Sequence, residues 1–158
     1  MSPATRDDLA RWLGVPPKAA RLLLAAHAGT FVEVDVEGQA AWMTPAGAEA
    51  AASSGPATGV YLLPGFDPYV LAPISHRAET IPEGRVDAVS RAAGWISPVL
   101  LVDGRIAGTW EPSSGVDGTT VTVTPFAELP KAVVAAAREH LAARYTGVLG
   151  ERLQLVVA

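Results

Sequence analysis

The stretch GWISPVLLVDGRIAGTW, residues 94–110, constrains the fold of this chain more than any other. An almost wholly apolar run ends at Asp103-Gly104, and the chain then returns through Arg105 to Trp110. An Asp-Gly pair between two such runs is one of the strongest signals for a hairpin with a two-residue turn. Because both arms are apolar at consecutive positions, we expect central strands that are covered on both faces. The stretch therefore predicts the spine of a β-sheet or β-barrel.

Further strand-like segments surround this hairpin and predict a larger sheet. They are VYLLPGF (60–66), YVLAP (69–73), TTVTVTPF (119–126) and RLQLVVA (152–158). Residues 130–147 begin with proline and end with glycine, which predicts a C-terminal helix, and residues 85–94 predict a shorter one. Several strands with only two helices, linked by turns, indicate a mostly antiparallel β-barrel or curled sheet. We expect this domain to cover residues 60–158.

The N-terminal third has a different pattern, which predicts two helices and a hairpin. Thr5 lies three residues before Asp8, an arrangement typical of a helix start, and Gly14 is placed to end that helix. A corner with two prolines precedes a second helical segment, PKAARLLLAAHAG. Valines alternate with acidic residues over residues 32–37, which predicts a strand with one wet face, and residues 39–43 predict its returning partner.

Helix, corner, helix and hairpin is the element order of a winged helix-turn-helix. Such a domain normally has one more helix ahead of these two, and the first five residues are too few to supply it. We therefore expect an incomplete winged-helix unit in residues 1–48 and a small, polar linker in residues 49–59. The predicted fold class is α+β: a partial winged helix-turn-helix followed by a mostly antiparallel β-barrel or curled sheet with a C-terminal helix.

Composition and spacing exclude several classes of site. The chain has no cysteine, which excludes disulfides and thiolate metal ligands and is typical of the cytoplasm. No apolar run approaches the ~20 residues that cross a bilayer, so we expect no membrane partner. His27, His76 and His140 lack the spacing of metal ligands, and the glycines do not gather into a phosphate-binding loop. The sequence predicts a cytoplasmic protein with no metal and no cofactor.

Charge is distributed unevenly along the chain. The net charge of −4 is opposite in sign to that of most non-specific nucleic-acid binders, so DNA contacts require a local patch. Residues 1–28 carry four basic and two acidic side chains, whereas residues 31–50 carry four acidic side chains and no basic one. Because the acidic ones include Glu33, Asp35 and Glu37 on the predicted hairpin, we do not expect that hairpin to touch phosphates.

The basic side chains of the N-terminal third are the candidate DNA contacts. Lys18 and Arg21 are three positions apart on the predicted second helix and share a face, as phosphate contacts require. The alternative is that they are ordinary solvated charges on an amphipathic helix. The candidates from charge alone are Arg6, Arg11, Lys18, Arg21 and, beside the hairpin turn, Arg105.

Three motifs, in order along the chain, resemble the C-terminal part of the AlkZ/YcaQ-like winged-helix family. They are LLPGFD (62–67), the hairpin motif from Pro98 through LVDGR to GTW (98–110), and the V-x-PF strand (123–126). An arginine, Arg77, follows the first motif. The helices and hairpin upstream look like the last winged-helix unit of that family, so the resemblance covers nearly the whole chain.

The resemblance implies a role in DNA repair with double-stranded DNA as the partner. Characterised members of that family are DNA glycosylases that excise alkylated or crosslinked bases, with tandem winged helices and a C-terminal β-barrel. Their catalysis is attributed to a paired-glutamine or glutamine–aspartate motif in the N-terminal region. Gln39 and Gln154, the two glutamines of this chain, stand in neither setting. We therefore expect no catalytic residue here and no base excision by this chain alone.

The resemblance also assigns residues to the motifs. It adds Arg77 to the candidate DNA contacts and gives Asp67 a role in supporting a DNA-contacting loop, although an aspartate before Pro68 is often only a turn cap. Asp103 can pair with Arg105 across the turn. The residues expected to support the motifs are Asp67, Asp103, Gly104 and Trp110, and the tryptophans expected to pack in the core or at its rim are Trp12, Trp42, Trp95 and Trp110.

A second class of function fits the same sequence. The chain can instead be a non-catalytic interaction or assembly module. In that case the apolar surface left by the missing first helix is covered by a partner, a second copy or an upstream polypeptide.

Overall fold

The computed structural model describes residues 3–36, 38–71 and 80–158. They separate into two compact units: the first holds residues up to Gly55, and the second holds residues 56–71 and 80–158. Among the described residues, no helix is long and apolar enough to cross a membrane.

The first unit begins with two helices, α1 (Arg6–Leu13) and α2 (Pro17–Ala26). The Thr5 hydroxyl accepts a hydrogen bond from the Asp8 backbone N–H at 3.2 Å, and the Asp8 carboxylate accepts from the Thr5 N–H at 3.0 Å. This is the reciprocal cap that the sequence predicted. Gly14 ends α1 in the left-handed region, with φ of 65°.

A two-stranded antiparallel hairpin follows, formed by β1 (Val32–Val36) and β2 (Gln39–Met43). Val34 lies opposite Ala41 in its register, and the predicted alternation holds, with the valines partly buried and Glu33 and Asp35 exposed. A third helix, α3 (Pro45–Ser53), comes next.

Helix α3 occupies residues that the sequence predicted to be linker. Its N-terminus is capped by the Thr44 hydroxyl, which accepts from the Gly47 N–H at 3.2 Å. Proline in the first turn and a run of alanines favour the helix enough to outweigh one glycine. The prediction of a linker from residue 49 was therefore wrong for residues 49–53. Within the predicted linker, residues 54–59 are the part that lacks regular structure.

The second unit is a curled, five-stranded sheet with the order β3-β4-β5-β6-β7. The strands are β3 (Val60–Leu63), β4 (Val99–Val102), β5 (Arg105–Gly115), β6 (Gly118–Pro125) and β7 (Leu153–Val157). All neighbours are antiparallel except β6 and β7, which are parallel and are connected by the long helix α6 (Lys131–Leu149). The predicted α+β class, with a mostly antiparallel curled sheet and a C-terminal helix, is confirmed.

Two short helices connect β3 to β4 within the described residues: α4 (Pro68–Leu71) and α5 (Val86–Val89), the latter followed by a 3-10 turn (Ala92–Gly94). The prediction of a strand from residue 69 was wrong, because α4 occupies Tyr69 to Leu71. The Asp67 carboxylate accepts a hydrogen bond from the Tyr69 N–H at 2.8 Å and so caps this helix.

The β4–β5 hairpin has the predicted two-residue turn. Val102 lies opposite Arg105, and the turn residues Asp103 and Gly104 have φ of 49° and 78°. Positive φ at both central positions is the geometry of a type I′ turn, which accepts Asp-Gly readily. The turn is anchored to the start of β3, because the Asp103 N–H donates to the Gly59 carbonyl at 2.9 Å and the Asp103 carboxylate accepts from the Gly59 N–H at 2.8 Å.

Strand β4 is covered on both faces, as its unbroken apolar sequence predicted. Leu100 packs with Trp110, Leu141 and other residues on the α6 side of the sheet. Val99 and Leu101 point to the opposite face and pack into a second cluster with Ile96. Because successive side chains of a strand point to opposite faces, a strand between two cores must be apolar at every position.

Helix α6 is also bonded to the edge strand β3. The backbone N–H of Leu62 donates to Nδ1 of His140 at 3.3 Å, and the hydroxyl of Tyr145 donates to the Leu62 carbonyl at 2.7 Å. Trp110 donates through Nε1 to the neighbouring Leu63 carbonyl at 2.9 Å. Side chains thus satisfy the backbone groups of an edge that pairs with a strand on one side only.

Candidate nucleic-acid interface

The first unit holds four of the candidate DNA contacts, and all four side chains are exposed. Arg6 begins α1, Arg11 lies in its last turn, and Lys18 and Arg21 lie in the first half of α2. The two helices thus place a set of cations on the first unit, as the sequence predicted from their positions alone.

Arg6 differs from the others because it has an acidic partner. Its Nε lies 2.8 Å from an Asp7 carboxylate oxygen, and this hydrogen bond and the Asp7 charge raise the pKa of Arg6. Both side chains are largely exposed, so the pair is weak and phosphate can compete for the guanidinium. The positive charge of Arg6 is nevertheless partly cancelled by the neighbouring Asp7.

Lys18 and Arg21 have no acidic neighbour in the first turn of α2. Helix N-termini carry partial positive charge, which adds to that of the two side chains. The face is therefore favourable to an anion. By contrast, Glu33 and Asp35 are exposed on β1, and the Asp35 carboxylate accepts from the Gly38 N–H at 3.0 Å. Glu37 lies outside the described residues.

An open groove of about 690 Å³ lies within the same unit, between the start of α1, the second half of α2 and the hairpin. Its lining is mostly apolar: Leu24, Ala25, Ala28, Phe31, Ala40 and Trp42. Two cations and two anions also line it: Arg6, Arg21, Asp7 and Glu33. The groove therefore brings Arg6 and Arg21 together, whereas Arg11 and Lys18 do not line it.

The first unit leaves several large apolar side chains exposed, which are Trp12, Leu13, Leu22 and Leu23. Its buried apolar residues are mostly alanines, with Met43 the largest. Trp12 is 77% exposed, so the prediction that it packs in the core or at its rim was wrong. The helix sequence alone did not show this, because spacing tells which residues share a face but not what covers that face.

The motif residues of the second unit have mainly structural contacts. Asp103 is bonded to Gly59, while Arg105 beside it is exposed. The carbonyl of Gly104 accepts from the Tyr69 hydroxyl at 2.7 Å, and burial raises the pKa of that tyrosine. Trp110 is buried, as predicted. Arg77 and His76 lie outside the described residues.

The described residues were predicted from the sequence to hold no metal site, and their titratable side chains include His140 and Tyr145, whose pKa values are shifted. They contain no cluster of three or more histidine, aspartate, glutamate or cysteine side chains that could hold an ion. Burial, and to a lesser extent the Arg144 charge, lowers the pKa of His140, and burial raises the pKa of Tyr145. Both side chains are hydrogen-bonded to the backbone of Leu62.

The sequence did not predict one aromatic contact of the second unit. Phe66 and Trp95 stack edge to face with ring centroids 5.2 Å apart, and both rings are about half exposed. The sequence indicated Trp95 as a tryptophan for the rim of a core, and Phe66 only as part of a motif.

Comparison with known proteins gives one consistent result. The family model described as DNA glycosylase AlkZ-like matches residues 1–148. An interstrand DNA cross-link repair glycosylase from Streptomyces sahachiroi is 39% identical over 152 residues, which cover 92% of this chain and 40% of that protein. The solved structure of the Streptomyces sahachiroi DNA glycosylase AlkZ is 36% identical, with a TM-score of 0.81, and the match covers 99% of this chain and 42% of that one. The chain thus spans about two fifths of the length of these relatives.

Proposed function

The chain belongs to the AlkZ-like DNA glycosylase family, and we propose that it supplies a double-stranded-DNA-binding part of a DNA-repair protein. The S. sahachiroi relative carries the name of a cross-link repair glycosylase, and we propose the same repair context for this chain, in the cytoplasm. The element order of the first unit supports a winged-helix DNA-binding role for it.

The observation that carries this proposal is the exposed pair of cations on α2, a helix with no acidic residue in its first turn. Lys18 and Arg21 occupy the first half of a helix with no acid in its first turn, and they are joined in the same unit by Arg11 and Arg6. Phosphate contacts of this kind position a protein on duplex DNA without reading sequence. Arg77 and Arg105 are proposed as further phosphate contacts. Because β1 exposes carboxylates, we propose that the helices, not the hairpin, approach the backbone.

We further propose that residues 1–158 alone do not excise bases. The family resemblance attributes catalysis to paired glutamines, and here Gln39 begins β2 in the first unit while Gln154 lies in β7 of the second. To test this, an alkylated or crosslinked duplex is incubated with the chain, and the released base is measured by chromatography. Release above a protein-free control would contradict it.

The DNA-binding proposal is tested by titrating a fluorescent duplex with the chain at several salt concentrations. We expect weak binding whose affinity falls with salt, and a strong loss in the double variant Lys18→Glu, Arg21→Glu, because each lost phosphate contact removes counterion release. The matched control is Lys131→Glu, Arg138→Glu, which makes the same charge change at exposed positions of α6. Equal loss in both double variants, or no binding at low salt, would exclude these helices as the contact surface.

The alternative of a protein-interaction module is favoured by a specific observation, the apolar groove of the first unit together with exposed residues such as Trp12 and Leu22. In this case the occupant is a partner protein, a second copy or an upstream polypeptide. Sedimentation velocity over a wide concentration range tests self-association. We expect a dimer that Leu22→Glu dissociates if a second copy is the occupant, and a monomer at every concentration argues against it.

A further inference from the structure

Phe66 and Trp95, which we name the aromatic pair, form an unusual surface in the second unit. Their rings meet edge to face, with an interplanar angle of 81°. Phe66 is 45% exposed and Trp95 is 51% exposed. Large aromatic side chains normally contribute their area to a core, so two adjacent half-exposed rings need a reason.

The backbone at Phe66 is strained in a way that a simple turn would avoid. The Asp67 N–H donates to the Pro64 carbonyl at 3.3 Å and closes a four-residue turn in which Phe66 is the third residue, with φ of 60°. A turn with positive φ at its third position favours glycine there. The glycine of this turn is instead Gly65, one position earlier, where a Cβ would lie only 3.1 Å from the Ile96 carbonyl oxygen. The turn thus keeps an aromatic ring at a position where glycine would be more stable.

Trp95 is presented by a second strained loop. Ala93 has φ of 58° and Gly94 has φ of 76°, so two consecutive residues ahead of the tryptophan are in the left-handed region. The Trp95 carbonyl accepts from the Arg91 N–H at 2.8 Å, and the next residue, Ile96, is buried. The backbone is therefore held firmly while the indole ring remains half open to solvent.

The surroundings of the pair indicate what it can bind. The immediate chain neighbours of the two rings are Gly65, Asp67, Gly94 and Ile96, and Ile96, the one large apolar residue among them, is buried, so these neighbours add no large apolar side chain to the surface beside the rings. Arg91 lies close to Trp95 in the chain. One nitrogen of its guanidinium lies 3.0 Å from a Glu111 carboxylate oxygen, and because both side chains are exposed this ion pair is weak, so that a phosphate can replace the carboxylate. Exposed aromatic rings are surfaces on which unpaired nucleobases stack, and a cation close in the chain can contact the phosphate next to such a base.

We propose that the aromatic pair is a stacking site for an unpaired base of DNA, with Arg91 available to the adjacent phosphate. This inference rests on the proposed function only in taking DNA as the partner, because it assigns a different surface, in the second unit, and a different DNA feature. Backbone strain that persists in a fold is commonly found at functional sites, and here it places the two rings side by side. Base stacking tolerates any base, so the site recognises an unstacked base rather than a sequence.

The test compares binding of the full chain to three labelled DNAs by fluorescence anisotropy: a paired duplex, the same duplex with one unpaired adenine, and a short single strand. We expect tighter binding to the two DNAs with unpaired bases. Trp95→Ala and Phe66→Ala should each weaken that binding by roughly 5- to 150-fold, the range for losing one stacked base, and leave the paired duplex unaffected. Trp95→Phe keeps a ring and should retain most of the preference.

Two controls separate loss of stacking from loss of folding. Phe66→Gly removes the ring and relieves the strain of a positive φ, whereas Phe66→Ala removes the ring and keeps the strain, so Phe66→Gly should melt at the higher temperature of the two and both should lose the preference for unpaired bases. Trp12→Ala removes another exposed indole, from the first unit, and should leave the preference unchanged.

The outcomes distinguish this inference from the proposed function. Duplex binding that depends on Lys18 and Arg21, without any preference for unpaired bases, overturns the stacking site and leaves the DNA-binding proposal standing. A preference that depends on Trp95 but persists in the Lys18→Glu, Arg21→Glu variant supports the stacking site and refutes the role of α2. Self-association that is lost in Trp95→Ala, with DNA binding unchanged, shows instead a protein contact and overturns the inference.

Discussion

Replacing Tyr145 with phenylalanine tests how much the link between α6 and β3 contributes to stability. The hydroxyl of Tyr145 donates to the Leu62 carbonyl at 2.7 Å, and Leu62 is fully buried, so water cannot easily replace the lost donor. The ring remains in Tyr145→Phe, and with it the edge-to-face contact to Trp110 at 5.4 Å. The substitution therefore removes one hydrogen bond and leaves a buried acceptor unsatisfied.

An unsatisfied buried acceptor costs about 1–3 kcal/mol, and we expect Tyr145→Phe to lower the free energy of unfolding by an amount within that range. The matched control is Tyr61→Phe, in strand β3. The hydroxyl of Tyr61 donates to the Thr58 carbonyl at the long distance of 3.4 Å and is exposed, so its loss should cost no more than about 0.5 kcal/mol.

Urea denaturation followed by circular dichroism and tryptophan fluorescence measures both changes. Both variants lie in the second unit, so any contribution of the first unit to the transition is common to them. Equal destabilisation by the two substitutions, or a loss below about 0.3 kcal/mol in Tyr145→Phe, would refute the argument that Leu62 depends on this donor.

Two further predictions concern the same unit. Burial, and to a lesser extent the Arg144 charge, lowers the pKa of His140 in the folded protein, and Nδ1 of His140 must be unprotonated to accept the hydrogen bond from the Leu62 N–H. The contribution of His140 to the free energy of unfolding is therefore full above the unfolded pKa of about 6.5 and is lost as the pH falls through the lower folded pKa. Thermal melts between neutral and mildly acidic pH should show this slope, His140→Phe should reduce it, and His27→Gln, at an exposed position, should not. A Cβ at Gly108 would lie 2.6 Å from the Thr124 carbonyl oxygen and 2.9 Å from the Pro125 Cα. Gly108→Ala should therefore lower the free energy of unfolding by about 1–3 kcal/mol or more. Gly147→Ala, in α6 with open space around it, should instead raise that free energy by up to about 1 kcal/mol, and a stabilised Gly108→Ala would contradict the packing of β5 against β6.

The parts of the fold that were predicted correctly depend on local chemistry. Asp103-Gly104 favours one turn type strongly enough to set the hairpin, and the reciprocal Thr5–Asp8 cap sets the start of α1. The errors arose where a cap outweighed a weak pattern. The Asp67 cap turned a strand-like segment into α4, and the Thr44 cap with its alanines turned part of the linker into α3.

The candidate interface was less accessible to sequence reasoning. Charge counting identified the exposed cations of α1 and α2, but it could not show that Arg6 pairs with Asp7, because adjacent residues on a helix do not generally face each other. The aromatic pair was missed for another reason. It requires a positive φ at Phe66, and a sequence gives no sign that a non-glycine residue will take that conformation.

The bonds from α6 to Leu62 also bear on how the second unit is made. They join residues 78 and 83 positions apart, so during synthesis β3 leaves the ribosome long before His140 and Tyr145 do. Until α6 emerges, the nascent chain presents an unprotected strand edge to other polypeptides, and formation of the native sheet waits for the last element that covers it. A ribosome-bound fragment ending before Lys131 should therefore engage chaperones more strongly than one that extends past Leu149.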